Sequence, residues 1–308
     1  MKTRLRIAIT LALQLSLALA PAASHAGTVV LKRAFVEKYK NRATADIEFI
    51  IDHAHKKPNA ISSDGQDGDL HSSGRAPNEV GLPMVAEVMN AKSQTAGVNL
   101  IRQNEGKNQP ILLSGAWRIW FEHPSATDQI QGQPVPVPKD TNPAHVFEVH
   151  PITQLQTTSV LSAFQSIPGY QAYDAETAFS SYESMTVTVR ANSSAIGIKA
   201  PKAGYNYAEF VMELQGPPQQ VADGVLVLAT VLDTEGSTVV GQLRRMVFVA
   251  GTEPATKVKG LKKGDRLHVL GIPRVNLERI AYLASQNGQN PVTTKLPYEM
   301  IIVGAFPD

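Results

Sequence analysis

Hydrophobic residues in this chain recur mostly at every second position, in short runs that Gly, Pro, Asn and Asp interrupt. Alternation of that kind predicts half-buried strands, and the interruptions predict turns. In the first half the strand-like runs cover 44–51, 83–89, 111–121 and 146–155. A polar loop is expected over 56–81, and the mixed segment 90–109 has room for a short helix. The second half reads similarly. A hairpin over 185–190 and 195–199 turns at Asn192-Ser193-Ser194, and further strands are expected over 205–214, 224–233, 244–249, 265–272 and 298–305. Helix signals are few. Asp174 is placed to cap a helix that starts within 156–184, and 276–285 is compatible with a helix before the last strand. The Pro-rich stretch 131–143 excludes a helix or a central strand and reads as a long exposed loop.

About five strands and one short helix per block predict an all-β chain, with two small β-barrel/OB-like domains in tandem and a short, partly helical connector. The expected boundaries are a signal peptide at 1–26, an OB-like β domain at 27–155, a connector at 156–184 and a second β domain, OB-like in the same sense, at 185–308. Two β-sandwiches, or one continuous sandwich, are the rival all-β arrangements. The two blocks do not align with one another, so a shared architecture is expected rather than a sequence repeat.

The N-terminus changes the setting. Lys2, Arg4 and Arg6 precede an apolar run from Ile7 to Ala20, and Pro21 and small residues follow, with Ser24 and Ala26 at −3 and −1 of a cut. This is the three-part layout of a cleavable secretory signal, cut after Ala26. The run is shorter than the roughly 20 residues a spanning helix needs, and no later stretch is apolar for long enough. The expected location is periplasmic or secreted. Cysteine is absent, which excludes a lipidated N-terminal anchor, disulfides and thiolate metal sites.

The formal charge of +2 depends on the signal. Residues 1–26 carry three of the 29 basic residues and none of the 27 acids, which leaves −1 for residues 27–308. Nucleic acid is therefore not the expected partner, since its binders usually show a basic excess. One stretch stands out: Arg244 to Arg279 holds nine Lys/Arg against Glu253, Asp265 and Glu278. It reads either as a solvated face or as a contact for an anionic partner, with Arg244, Arg245, Lys262, Lys263 and Arg266 as candidates.

Four ordered phrases lie in the first block: Asp67-Gly68-Asp69-Leu70-His71, then Pro83-Met84-Val85-Ala86-Glu87-Val88, then Leu113-Ser114-Gly115-Ala116-Trp117, and finally Val146-Phe147-Glu148-Val149-His150-Pro151-Ile152-Thr153. Over about residues 46–155 the chain resembles a group of uncharacterised bacterial exported domains with G-D-x-H, A-E-h and E-h-H-P phrases, where h is apolar. Those domains are generally read as OB-like barrels. The resemblance implies that fold and no established activity. No resemblance extends to 156–308.

Six of the seven histidines beyond residue 26 fall in the first block: His53, His55, His71, His123, His145 and His150. On one strand, Ile47, Phe49, Ile51, His53 and His55 share a face by the period-two rule. His53 and His55 are then either surface residues at a strand end or metal ligands joined by Glu148 or His150. Asp64, Asp67 and Asp69, with two glycines, form either a solvated turn or an oxygen-rich cation loop without the full EF-hand pattern. Glu87 lies in an apolar strand and needs a partner if it faces inward. His71, Glu87, Glu148 and His150 thus form either a lock inside the barrel or an acid/base set in a cleft. Trp117 and Trp120 are either core residues or a stacking platform, and Tyr205, Tyr207 and Phe210 invite the same comparison. Serine-nucleophile, zincin and phosphate-loop motifs are absent. Arg75 and Arg118 are the arginines that a metal-assisted nuclease would use.

The leading reading is an exported, non-catalytic binding or interaction protein whose partner is an envelope polymer or another exported protein. The alternatives are a metal-dependent hydrolase of phosphodiesterase or nuclease type, built on the first block's histidines and carboxylates, and a structural envelope component. No cofactor is firmly implied, and a divalent metal is compatible with the residues present.

Overall fold

The computed structural model describes residues 26–62 and 67–307. The chain opens with strand β1 (Gly27–Lys32) and helix α1 (Arg33–Tyr39). Next come β2 (Thr44–Ala54), β3 (Leu70–Arg75), β4 (Met84–Val88), helix α2 (Thr95–Asn104), β5 (Pro110–His123), the two-residue β6 (Gln129–Ile130), β7 (His145–Leu155) and β8 (Thr158–Ser159). The connector holds β9 (Tyr173–Asp174) and helix α3 (Ala175–Ser184), which Asp174 caps by accepting from the Thr177 N–H at 2.8 Å. A hairpin, β10 (Thr186–Ala191) and β11 (Ala195–Ala200), follows. The rest of the chain holds β12 (Ala208–Leu214), β13 (Gln219–Val221), β14 (Gly224–Leu232), β15 (Thr238–Val249), helix α4 (Glu253–Val258), β16 (Arg266–Val275), helix α5 (Leu277–Gln286), β17 (Val292–Lys295) and β18 (Tyr298–Ala305).

Both barrels close with the same connectivity. The first runs β2-β3-β4-β7-β5 and returns to β2, with β4 and β7 parallel and the other pairs antiparallel. The second runs β12-β14-β15-β18-β16 and returns to β12, with β15 and β18 parallel. In order of appearance each barrel is first-second-third-fifth-fourth, with a helix between the third and fourth strands. This is the five-stranded Greek-key barrel of the OB class. The third strand of the first barrel and the fifth of the second are covered on both faces: every residue of β4 and β18 is buried. Their sequences therefore read as apolar runs in which a charged residue stands out.

The sequence pattern missed two six-residue strands, β3 and β1, as well as the shorter β6, β8, β9, β13 and β17. β3 reads Leu-His-Ser-Ser-Gly-Arg and lies inside the stretch expected to be a polar loop. Ser72 and Ser73 are buried there, and their hydroxyls donate to the Ala86 and Asp140 carbonyls. At Gly74 a Cβ would sit 2.1 Å from the Ile50 carbonyl oxygen, so only glycine lets β3 approach β2. β1 was not expected. It pairs antiparallel with β11 in a sheet ordered β17-β10-β11-β1-β6. That sheet draws strands from both sides of the 156–184 connector. The loop over 131–143 has no regular structure.

Candidate functional site

Register brings the first block's polar residues together. On β3 and β4, His71 stands directly opposite Glu87. On β5 and β7, Arg118 stands directly opposite Glu148. β7 also runs parallel to β4, which sets Glu148 and His150 beside Glu87. Asp69 precedes β3, and Tyr207 enters from the lead-in to the second barrel. The result is one buried cluster. Glu87 Oε2 lies 3.2 Å from His71 Nε2 and 3.4 Å from His150 Nδ1. His150 Nε2 lies 2.7 Å from the Tyr207 hydroxyl and 3.1 Å from Asp69 Oδ2, and the hydroxyl donates to that Asp69 oxygen at 2.7 Å. Arg118 donates to Glu148 Oε2 at 2.5 Å, and His145 Nε2 meets Glu148 Oε1 at 3.0 Å. Asp69, Arg118 and His150 have no exposed surface, and Glu148 and Glu87 show 2% and 4%.

Electrostatics sorts these groups into charged and neutral. Burial would raise the Glu148 pKa, but Arg118, His145 and His150 outweigh it and hold the carboxyl well below its usual range. Burial lifts Glu87 well above its usual range, with His150 opposing and Glu148 assisting. Burial and the neighbouring Asp69 push Asp67 up to about 7. Burial, then His55 and His150, lower His71 to about 3. The His71–Glu87 contact is therefore one between neutral groups and not an ion pair. His150 goes the other way: burial alone would lower it, but Glu87, Asp69 and Glu148 hold it well above its usual value.

A second buried network joins the barrels. Arg274 on β16 stands opposite Glu299 on β18 and donates to it at 2.6 Å. Its other nitrogens donate to the carbonyls of Trp117 (3.0 Å), Arg42 (3.0 Å) and Ala43 (3.3 Å), and its guanidinium stacks 3.6 Å over the Trp117 ring. Arg118 returns the bond, donating to the Pro273 carbonyl at 2.9 Å. Asp223, in the turn before β14, accepts from Arg42, Ala43 and Thr44. Arg274, Glu299 and Asp223 escaped the sequence reading. A charged residue inside an apolar strand, the signal that marked Glu87, also marks Arg274 and Glu299.

Several candidates lie elsewhere. The common face expected for His53 and His55 with Ile47, Phe49 and Ile51 is broken by a β-bulge between Ile51 and His53, which shifts the later residues by one position. His53 Nε2 meets the Pro138 carbonyl at 2.9 Å, while His55 stacks on His71 at 5.0 Å. Neither joins Glu148. Asp64 lies outside the described residues. Asp67 is buried, and its carboxylate accepts from the Asp69 N–H at 3.1 Å, which corrects the picture of a solvated turn there. Trp117 and Trp120 are fully buried and present no stacking platform. The Trp117 indole donates to the Arg42 carbonyl, and Trp120 packs edge-on against Tyr182. Arg75 is paired with Asp52. Arg245 is not a free cation: it holds Glu299, Glu278, Asn41 and the Lys40 carbonyl. Arg244 pairs with Glu183 and stacks on Tyr298. Arg266 pairs with Glu213, and Lys262 and Lys263 are exposed in the turn before β16.

An open groove lies on the second barrel. Two adjoining cavities of about 610 and 500 Å³ share Leu228, Leu243 and Arg245. Their walls come from β14 and β15, from the β12–β14 loop (Gln215, Gln219) and from the α5 region (Asn276, Arg279). Leu228 and Leu243 are 52% and 47% exposed, and Arg245 forms the buried floor. The second- and third-strand face, with the loops after the first and fourth strands, is where OB barrels take ligands. The first barrel differs. Its Pro-rich loop crosses back over the sheet, and the Pro138 and Asp140 carbonyls meet His53 and Ser73.

No family model matches the chain, and no curated protein does either. Among solved structures, a murine DNA-binding protein bound with double-stranded DNA is 11% identical over 86% of this chain and all of that one, with a TM-score of 0.19. A likeness of that size carries no argument about this chain. No helix among the described residues is long and apolar enough to cross a membrane.

Proposed function

We propose that this is an exported protein that acts outside the cytoplasm as a non-catalytic binding module. It takes an extended segment of an envelope polymer, or of another exported protein, along the β14–β15 face of its second barrel. The observation that carries this reading is the contrast between two sites. The open groove offers two half-exposed leucines ringed by glutamines, two asparagines and charged side chains of both signs, Arg279 among them. Of the acid/base groups, Glu87, Glu148 and His150 are buried and His71 is only 15% exposed. A hydrolase needs those groups to converge on a cleft that admits substrate. They converge, but as a lock that Tyr207 of the other block helps to complete. The N-terminal signal supports export, and the near-neutral charge of residues 27–308 does not favour a nucleic-acid partner.

The test is a Leu228→Glu/Leu243→Glu variant, compared with the wild type for retention on isolated cell-wall polymer and on immobilised exported proteins. Each leucine contributes about 1 kcal/mol when its exposed half is buried. The variant should therefore bind at least tenfold more weakly on whichever probe retains the wild type, with an unchanged Tm. Equal retention of both proteins, or retention of neither on both probes, overturns the reading.

A further inference from the structure

The geometry points to a single divalent first-row transition-metal ion, of the zinc or manganese class, bound inside the first barrel by His150, Glu87 and Asp69. The ion is structural, and the inference is independent of what the groove binds. Ligand atoms of the three residues lie within 4.8 Å of one another. The independent observation is His150 Nδ1, which belongs to a fully buried side chain and has no hydrogen-bond partner. It points between Glu87 Oε2 at 3.4 Å and Glu148 Oε2 at 3.7 Å.

The other ring nitrogen explains why Nδ1 is the free one. The Tyr207 hydroxyl donates its proton to Asp69, so toward His150 it accepts, and Nε2 carries the hydrogen. Metal-binding histidines are usually fixed in this way, with the second nitrogen donating to a carboxylate or another oxygen acceptor. Two ligand atoms on one ion, with bonds of about 2.1 Å, stand about 3.0–3.4 Å apart. The Nδ1–Glu87 separation already matches that range, and Asp69 offers a carboxylate oxygen in the same group of ligand atoms, all within 4.8 Å of one another. One imidazole and two carboxylates suit zinc or manganese, and the set contains no thiolate.

The charge count agrees. Asp67, Asp69, Glu87 and Glu148 are all buried, facing Arg118 and His150.

Because the site is sealed, the protein is unfolded and refolded with Zn²⁺ or Mn²⁺, dialysed, and assayed for metal content and Tm. One equivalent should be retained, and Tm should rise by about 5 °C at 100-fold excess over Kd. Glu87→Gln should lower metal affinity at least tenfold while the metal-free variant keeps a cooperative unfolding transition. His53→Ala/His55→Ala should retain the equivalent. The inference is overturned if the wild type retains no metal and its Tm does not move. It is equally overturned if Glu87→Gln binds as tightly as the wild type, or if the equivalent is lost only in the His53/His55 variant.

Discussion

Glu87 and Glu148 are both buried glutamates in the first barrel, on neighbouring parallel strands, yet their replacement by glutamine should have opposite consequences. Glu148 faces Arg118 at 2.5 Å, and neither side chain is more than 2% exposed. With an amide in place of the carboxylate, the closest remaining counter-charge to Arg118 is Glu122 at 3.4 Å, on a side chain that is 25% exposed. Breaking a buried pair in this way costs about 3–5 kcal/mol. At about 2–4 °C per kcal/mol this lowers Tm by about 6–20 °C. Glu87 is held neutral by its burial, so Glu87→Gln should not destabilise at pH 7. The pH dependence fixes the signs. Glu148 has a depressed folded pKa, so its contribution is present above the unfolded value of about 4.3 and is lost as pH falls through the folded one. Glu87 has a raised folded pKa, so its contribution is full below about 4.3 and is lost as pH rises toward the folded value. The Glu148→Gln deficit should therefore shrink in acid, and Glu87→Gln should gain on the wild type as pH rises. Urea unfolding followed by tryptophan fluorescence reads both, because Trp117 and Trp120 are the two tryptophans of the chain and both are buried. Equal losses for the two variants, or a larger loss for Glu87→Gln, would refute the assignment of charge.

Two further outcomes follow from the same electrostatics. Asp67 titrates near 7 in the folded protein against 3.8 for the free group. Its contribution is full below about pH 4 and is lost as pH rises toward 7, so Asp67→Asn should flatten the fall in urea midpoint between those values; an unchanged slope counts against the shift. Arg274→Met removes the donor to Glu299 and to three buried carbonyls. It should cost about 3–5 kcal/mol in urea unfolding, and a loss below about 1 kcal/mol would mean that the barrels do not depend on this junction.

The barrels were legible because their strands alternate or run apolar, and because turn residues bracket them. β3 was not, since its stability comes from backbone pairing, two satisfied serines and a glycine rather than from apolar side chains. β1 alternates between buried and half-exposed positions. Its partner β11 lies more than 160 residues away, and no local pattern announces that pairing. The cluster itself was largely visible: His71, Glu87, Glu148 and His150 stood out as polar residues in ordered phrases. What alternation could not supply was the bulge near His53, which separates that histidine from the cluster, or the arrival of Tyr207 from the second block.

The two barrels also share a device that their sequences do not advertise. In each, an arginine on the fourth strand stands directly opposite a glutamate on the fifth: Arg118 with Glu148, and Arg274 with Glu299. Each arginine then reaches across to the carbonyl of the residue just before the other, Arg118 to Pro273 and Arg274 to Trp117. A guanidinium has five donors in a fixed fork, so one side chain can satisfy a glutamate in its own barrel and a carbonyl in its neighbour. A buried arginine is costly unless every such donor finds an acceptor. The arrangement therefore ties the internal ion pair of each barrel to the docking of the other. That coupling lets the second barrel hold a groove between loops while its base stays fixed: Arg245, which forms the groove floor, shares Glu299 with Arg274. The open groove and the sealed junction are thus two sides of one charge network.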